Sequence, residues 1–107
     1  MEGLEQICFS IISAVGMAKS SYVEAMRAAA NGDYELSEQK MKEGDEFYAK
    51  GHEVHMDLIT KEAGGQKMEV GIILMHSEDQ MMAAETVRLM AEENIKMSKR
   101  IRELETK

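Results

Sequence analysis

A histidine and an aspartate stand among apolar residues in the segment IILMHSEDQMM, which spans residues 72–82 and contains no helix breaker. A packed helix normally carries Leu or Ala at such positions, so His76 and Asp79 need an explanation. A neutral imidazole serves as a nucleophile or a proton carrier when a carboxylate orients it, and a neighbouring subunit is one source of that carboxylate. The alternative for His76 is a histidine at the edge of the core with a hydrogen-bonded ring.

Asp79 poses a separate question, because a carboxylate among apolar neighbours is costly unless it is protonated, paired or bound to a metal ion. Residues 72–87 contain no Lys or Arg that could pair with it from the same helix. If this side of the helix forms a symmetric interface, the copies of Asp79 converge on its axis, and a hard cation such as Mg²⁺ relieves their repulsion. The alternative is a solvated aspartate at one end of a helical bundle.

Three predicted helices position these two residues. The chain of 107 residues has no Pro, 11 Met and many Ala, Glu and Lys residues, a composition typical of helix. Asn31-Gly32 suits a helix end that needs a left-handed residue, Asp33 suits the next N-cap, and Gly64-Gly65 marks a second break. We therefore expect an all-α fold, an antiparallel three-helix bundle in a single domain. The expected helices span about residues 2–31, 33–63 and 67–104.

The third helix has two adjacent apolar stripes. One holds Ile73, His76, Gln80, Ala83, Val87, Met90, Asn94, Met97 and Ile101, and the other holds Ile72, Met75, Asp79, Met82, Thr86 and Leu89. Together they cover about 200°, whereas a helix that faces only its own core needs about 100°. Ser77 and Glu78 are expected outside this arc, toward solvent. The arc indicates either a helix between two neighbours of its own bundle or a homo-oligomer that buries the second stripe.

The composition excludes several classes of protein. The net charge of −7 argues against nucleic acid as a partner and favours a basic protein or bound cations. The single cysteine, Cys8, is typical of a reducing compartment. No stretch approaches about 18 continuous apolar residues, and the first residues lack the basic region of a signal peptide. We expect a cytoplasmic protein that does not insert into a membrane.

A pair of histidines, His52 and His55, has the i, i+3 spacing of two zinc ligands. Two ligands do not make a site, so the alternative is a histidine pair in the core or at an interface. No Gly-rich phosphate loop, nucleophile elbow or cysteine pair occurs in the chain.

Four segments together resemble a known family over essentially the whole chain. They are LEQICFSIISAVGMAKSSYVEAMRAA, AANGDYELSEQKMKEG, HEVHMDLITKEAGG and, above all, VGIILMHSEDQMM. These segments resemble the enzyme IIA component of the lactose/cellobiose-type sugar phosphotransferase system.

The resemblance implies a homotrimer of three-helix bundles, in agreement with the wide apolar arc. It implies that His76 accepts a phosphoryl group from the phosphocarrier protein HPr and passes it to a cysteine of the IIB component. That component supports uptake and phosphorylation of a β-linked disaccharide of the lactose, cellobiose or chitobiose class. Asp79 corresponds to the aspartate that holds a divalent cation, here expected to be Mg²⁺, on the trimer axis. Met81 and Met82 are expected to supply apolar surface for transient partners.

The chain departs from the family pattern next to the expected nucleophile. The family usually reads His-Ala-Gln-Asp-His-Leu-Met where this chain reads HSEDQMM. Glu78 therefore replaces a glutamine and adds negative charge close to the incoming phosphoryl group. Gln80 replaces a second histidine, and His55 stands where glutamine is common. These changes bear on transfer efficiency and partner choice, and the alternative function is a regulatory, metal-holding or scaffolding oligomeric bundle without phosphoryl transfer.

Overall fold

The computed structural model describes residues 2–107, and these residues form three helices and no strand. The helices are α1 (Leu4–Ala30), α2 (Tyr34–Ala63) and α3 (Ile72–Glu105). They form an elongated bundle with extents of 60 × 21 × 16 Å. The predicted all-α, three-helix fold is confirmed. Among residues 2–107 no helix combines the length and the hydropathy that a membrane crossing requires.

The connection between α1 and α2 has the expected chemistry. Gly32 adopts the left-handed region with φ 81°, where a side chain would be strained. The amides of Gly32 and Asp33 donate to the carbonyls of Ala29 and Ala28, which are otherwise free at the end of a helix. The Asp33 carboxylate in turn accepts a hydrogen bond from the Leu36 amide at 3.1 Å and caps α2. Local sequence therefore fixes the reversal of the chain at this point.

The start of α3 differs from the expected start at residue 67. Residues 66–71 precede the helix, which begins at Ile72 after an extended Gly71. Gly71 has no side chain to cap the helix, and Val70 has low helix propensity because it is β-branched. These residues keep the preceding segment out of the helix, so the prediction was five residues early. The expected ends of the helices agree with the structure to within about two residues, the usual uncertainty of a helix end.

α1 lies between the other two helices and supplies most of the core. Its buried residues include Cys8, Ile11, Val15, Ala18, Tyr22 and Ala25. α2 approaches α1 closely because it carries glycine at two buried positions. A Cβ at Gly44 would lie 2.5 Å from the Tyr22 ring, and one at Gly51 would lie 2.8 Å from Val15 Cγ1. Glycine lowers the helix propensity at these two positions, but it allows α2 to pack closely against α1.

The side of α3 that packs against the bundle is not the one expected from sequence. Its buried residues are Leu74, Ser77, Met81, Ala84 and Ala91. Ser77 was expected toward solvent, but it is fully buried and its hydroxyl donates to the Leu74 carbonyl at 2.8 Å. Small residues on this side allow a short distance between helices. The second predicted stripe therefore lies on the outer side of α3, whereas Ile73 and Val87 of the first stripe are half-buried and pack against the core.

Candidate functional site

The outer side of α3 carries a long exposed row of apolar side chains. Eight of them are at least half exposed: Ile72, Met75, Met82, Leu89, Met90, Met97, Ile101 and Leu104. We call these eight residues the apolar face of α3. An exposed apolar surface that continues over a whole helix is typical of an interaction site, because contact with water is unfavourable for apolar side chains and burial by a partner removes that contact.

Asp79 lies within this apolar face, one turn after Met75 and one turn before Met82, and is exposed. Among residues 2–107 its carboxylate takes part in no hydrogen bond or ion pair. No group of three or more metal-binding side chains occurs within the described residues. Asp79 therefore offers one carboxylate of the kind that Mg²⁺ prefers, but the described residues of a single chain do not form a complete metal site.

His76 is exposed at the edge of the apolar face, about 60° around the helix from Asp79. Neither ring nitrogen has a hydrogen-bond partner within residues 2–107. The alternative of a core-edge histidine with a satisfied ring does not apply in the single chain. Instead, the imidazole is accessible to a reactant or partner from outside.

Gln80 lies one turn after His76 on the same side of α3. Its side-chain carbonyl accepts a hydrogen bond from the Lys19 ammonium of α1. Lys19 takes part in none of the ion pairs found among residues 2–107. A cation therefore lies beside the residue that follows His76 by one helical turn, although residues 72–87 of α3 contain no Lys or Arg. Sequence reasoning missed Lys19 because 61 residues separate it from Gln80.

Glu78 occupies the other flank of α3, rotated by about 160° from His76. The His55 ring nitrogen Nε2 lies 2.8 Å from each of its carboxylate oxygens. Within one chain, Glu78 therefore faces α2 and not the side of His76, and its effect on an incoming phosphoryl group stays a prediction. Two of the departures from the family pattern contact each other, and they connect α2 to α3.

The two histidines of α2 are not placed for a shared zinc ion. His55 pairs with Glu78, whereas the His52 ring stacks on Tyr48 with 6.0 Å between ring centroids. The alternative expectation was a histidine pair in the core or at an interface. His55 lies between α2 and α3, as that alternative requires, but His52 is exposed.

The two methionines expected to receive a partner lie on opposite sides of α3. Met82 belongs to the exposed apolar face, whereas Met81 is 4% exposed and packs in the core. The expectation that Met81 supplies partner surface is therefore wrong. Met81 lies on the same side of α3 as Ser77, and this side packs against the bundle.

A second polar cluster connects all three helices farther along the bundle. Tyr22 and the Arg88 Nε each donate to Asp45 Oδ1 at 2.7 Å, and Arg88 also contacts Glu92 at 2.9 Å. Burial raises the pKa of the Asp45 carboxyl, but the hydrogen bonds from Arg88 and Tyr22 outweigh this effect and leave it below its usual value. Burial and Asp45 raise the pKa of Tyr22.

An open groove of about 620 Å³ lies beside this cluster, between the first half of α2 and the second half of α3. Its walls include Tyr34, Asp45, Arg88 and Lys99, and none of the residues predicted to do chemistry. Asp45, Arg88 and Glu92 are paired with one another, so the cluster fits a role in connecting the helices.

Fold and site together define a class: an all-α bundle that presents a free histidine beside an exposed apolar helix face. The model of the family "PTS system, Lactose/Cellobiose specific IIA subunit" matches residues 6–99, and the chain belongs to that family. It is therefore an enzyme IIA component of a sugar phosphotransferase system of the lactose/cellobiose type.

Relatives and solved structures agree with this assignment. The lichenan-specific phosphotransferase enzyme IIA component of Bacillus subtilis is 40% identical over 102 residues, which are 95% of this chain and 93% of that protein. The lactose-specific EIIA component of Lacticaseibacillus casei is 31% identical over 99% of this chain and 95% of its own length. The cellobiose-specific enzyme IIA from Bacillus anthracis has a crystal structure similar to this fold, with TM-score 0.91, 33% identity and coverage of 95% and 94% of the two chains.

Proposed function

We propose that the protein is a cytoplasmic phosphocarrier that accepts a phosphoryl group from phospho-HPr on His76 and passes it to a cysteine of a IIB component. The observation that carries this proposal is the exposed His76 ring, which has no partner within residues 2–107 and stands at the edge of the apolar face. The IIB component then supports uptake and phosphorylation of a β-linked disaccharide of the lactose, cellobiose or chitobiose class. The names of the relatives, which differ in their sugars, support the class and not one sugar.

The chemistry needs an imidazole nitrogen with a free lone pair. That nitrogen attacks phosphorus in line, a new P–N bond forms, and the bond to the donor histidine of HPr breaks with its electron pair left on the donor nitrogen. The second transfer repeats this step with the IIB thiolate as nucleophile. His76 lies at the edge of the apolar face, where a transient partner can dock from outside the assembly and exclude water.

We further propose that three copies of the chain assemble through the apolar face of α3. The face is too long and too exposed to remain in water in a stable monomer. A three-fold axis along it brings three Asp79 side chains together, and their oxygen atoms suit a divalent cation such as Mg²⁺. Bound there, the ion neutralises the converging carboxylates. Light scattering that finds a monomer at micromolar concentration contradicts the trimer.

Labelling with phosphoenolpyruvate, enzyme I and HPr tests the carrier function. The intact mass of the wild type should increase by one phosphoryl group, and acid should remove it because a phosphorus–nitrogen bond is acid-labile. His76→Ala should remain unlabelled. His52→Ala is the matched control, since it removes another exposed histidine and should be labelled like the wild type. An unlabelled wild type, or a labelled His76→Ala, contradicts the proposal and favours a regulatory or scaffolding bundle.

A further inference from the structure

A phosphoryl group on His76 needs a positive charge nearby, and Lys19 of α1 reaches the side of α3 that carries His76. Its ammonium donates to the Gln80 side chain, and Gln80 follows His76 by one helical turn. Side chains at i and i+4 lie on one side of a helix, with about 5–6 Å between their Cβ atoms. Lys19 on α1 therefore reaches the flank of α3 that displays His76, and crosses the boundary between the two helices to do so.

α3 itself offers no unpaired cation near His76 in sequence. Residues 72–87 hold no Lys or Arg. Arg88, the next basic residue, is engaged by Asp45 and Glu92 on the inner side of α3. Lys19, by contrast, has only a neutral carbonyl as its hydrogen-bond acceptor among residues 2–107. A neutral acceptor fixes the position of the ammonium without cancelling its charge, which leaves the charge for an anion that arrives from outside.

We propose that Lys19, positioned by Gln80, is a catalytic residue that binds the phosphoryl oxygens while the group moves onto and off His76. This inference rests on the proposed phosphocarrier function. An ammonium has three donors, so Lys19 keeps its bond to Gln80 while it donates to a phosphoryl oxygen. Phosphoryl transfer depends mainly on positioning and on neutralisation of charge spread over the equatorial oxygens, and a partly buried ammonium supplies that neutralisation.

The bonds that change are those of the carrier reaction itself. One P–N bond forms at His76 as the P–N bond to the donor imidazole breaks, and no proton from Lys19 is required. Lys19 stays an ammonium throughout, and its contribution is electrostatic. Removal of one hydrogen bond to a charged group costs about 1.5–3 kcal/mol, which corresponds to roughly a 10- to 100-fold loss in rate.

The test compares Lys19→Met, Lys19→Gln and Lys19→Arg in transfer from phospho-HPr. We expect kcat for Lys19→Met to fall roughly 10- to 100-fold with little change in KM, because the charge acts on the group in transit. Lys19→Gln should fall similarly, since it keeps a donor but has no charge, whereas Lys19→Arg should retain most of the rate. Gln80→Leu removes the hydrogen-bond acceptor of Lys19 but leaves its positive charge in the protein, so this variant should give a smaller loss of rate.

Lys42→Met is the matched control, because it removes the same charge from an exposed position on α2. The ³¹P resonance of phosphorylated His76 should shift in Lys19→Met and stay in place in Lys42→Met, and a position close to that of the wild type in Lys19→Arg separates loss of the charge from a change in packing. Thermal unfolding identifies a variant that fails to fold, and the Gln and Arg variants then decide the question. A Lys19→Met protein within about twofold of Lys42→Met overturns the inference while the carrier function stands. A wild type that takes up no phosphate overturns both.

Discussion

The inner and outer sides of α3 both carry polar residues, but those on the inner side have hydrogen-bond partners within the described part of the chain, whereas His76 and Asp79 on the outer side do not. On the inner side, Arg88 donates two hydrogen bonds to Asp45, and Tyr22 donates a third. On the outer side, the side chains of His76 and Asp79 have no partner within residues 2–107. A polar group with internal partners stabilises the fold, whereas one without them is available to a reactant, an ion or another chain.

The comparison is sharpest at two consecutive residues. Ser77 is fully buried, and His76 before it is exposed. Mutations at these two positions should therefore separate stability from function. Variants with the largest expected effect on the free energy of unfolding test whether the inner side is indeed the packed one.

Ser77→Leu should lower the free energy of unfolding by about 3 kcal/mol, because a larger side chain overpacks the contact with α1. His76→Leu places the same side chain on the outer side and should change it by less than about 0.5 kcal/mol. Urea unfolding at one fixed protein concentration measures both. If Ser77→Leu is as well tolerated as His76→Leu, α3 does not pack on this side.

Asp45→Asn should lower the free energy of unfolding by about 1.5 kcal/mol at pH 7, a modest value because the Asp45 and Arg88 side chains are 43% and 38% exposed. Arg88 and Tyr22 hold the pKa of the folded carboxyl below its ordinary value of 3.8. As the pH falls below that value the unfolded chain binds the proton first, so the wild type loses this stabilisation and the difference between the two proteins shrinks.

Asp57→Asn is the control for this variant. Asp57 pairs with Lys61 at 3.1 Å on the exposed side of α2, where an i, i+4 ion pair contributes only about 0.3–0.5 kcal/mol. Urea unfolding from pH 7 down to about pH 3 measures the three proteins together. A loss for Asp45→Asn that stays constant over this range would show that the Asp45 charge does not carry the stabilisation.

The predictable part of this molecule is the part encoded locally. The helix end at Asn31-Gly32 and the cap at Asp33 depend on residues adjacent in sequence, and the structure has both. The side of α3 that packs was not predictable from apolar periodicity, because apolar residues occur almost all around this helix. The informative signal was the row of small residues Ser77, Ala84 and Ala91, which allow α1 to come close.

The surroundings of the candidate site were predictable only in part. His76 and Asp79 stand out in one segment because polar groups interrupt an apolar pattern. Their neighbours do not stand out, since Lys19 lies 61 residues from Gln80 and His55 lies 23 residues from Glu78. Contacts of this kind depend on how the helices are aligned, and no local pattern in the sequence specifies that alignment.

The pair formed by His55 and Glu78 is the intermediate case between the two sides of α3, and it should have the smallest effect. His55 is mostly buried, whereas Glu78 is 42% exposed, so solvent screens their interaction. A double-mutant cycle with His55→Gln, Glu78→Gln and the combined variant should give a coupling energy of about 0.5 kcal/mol. Because Glu78 faces away from His76 within the chain, Glu78→Gln should leave the rate of His76 phosphorylation within about twofold of the wild type. A larger change in that rate, with the same small coupling energy, would mean that the Glu78 charge reaches the phosphoryl group through another subunit and that the distinction between structural and functional polar residues fails at this flank.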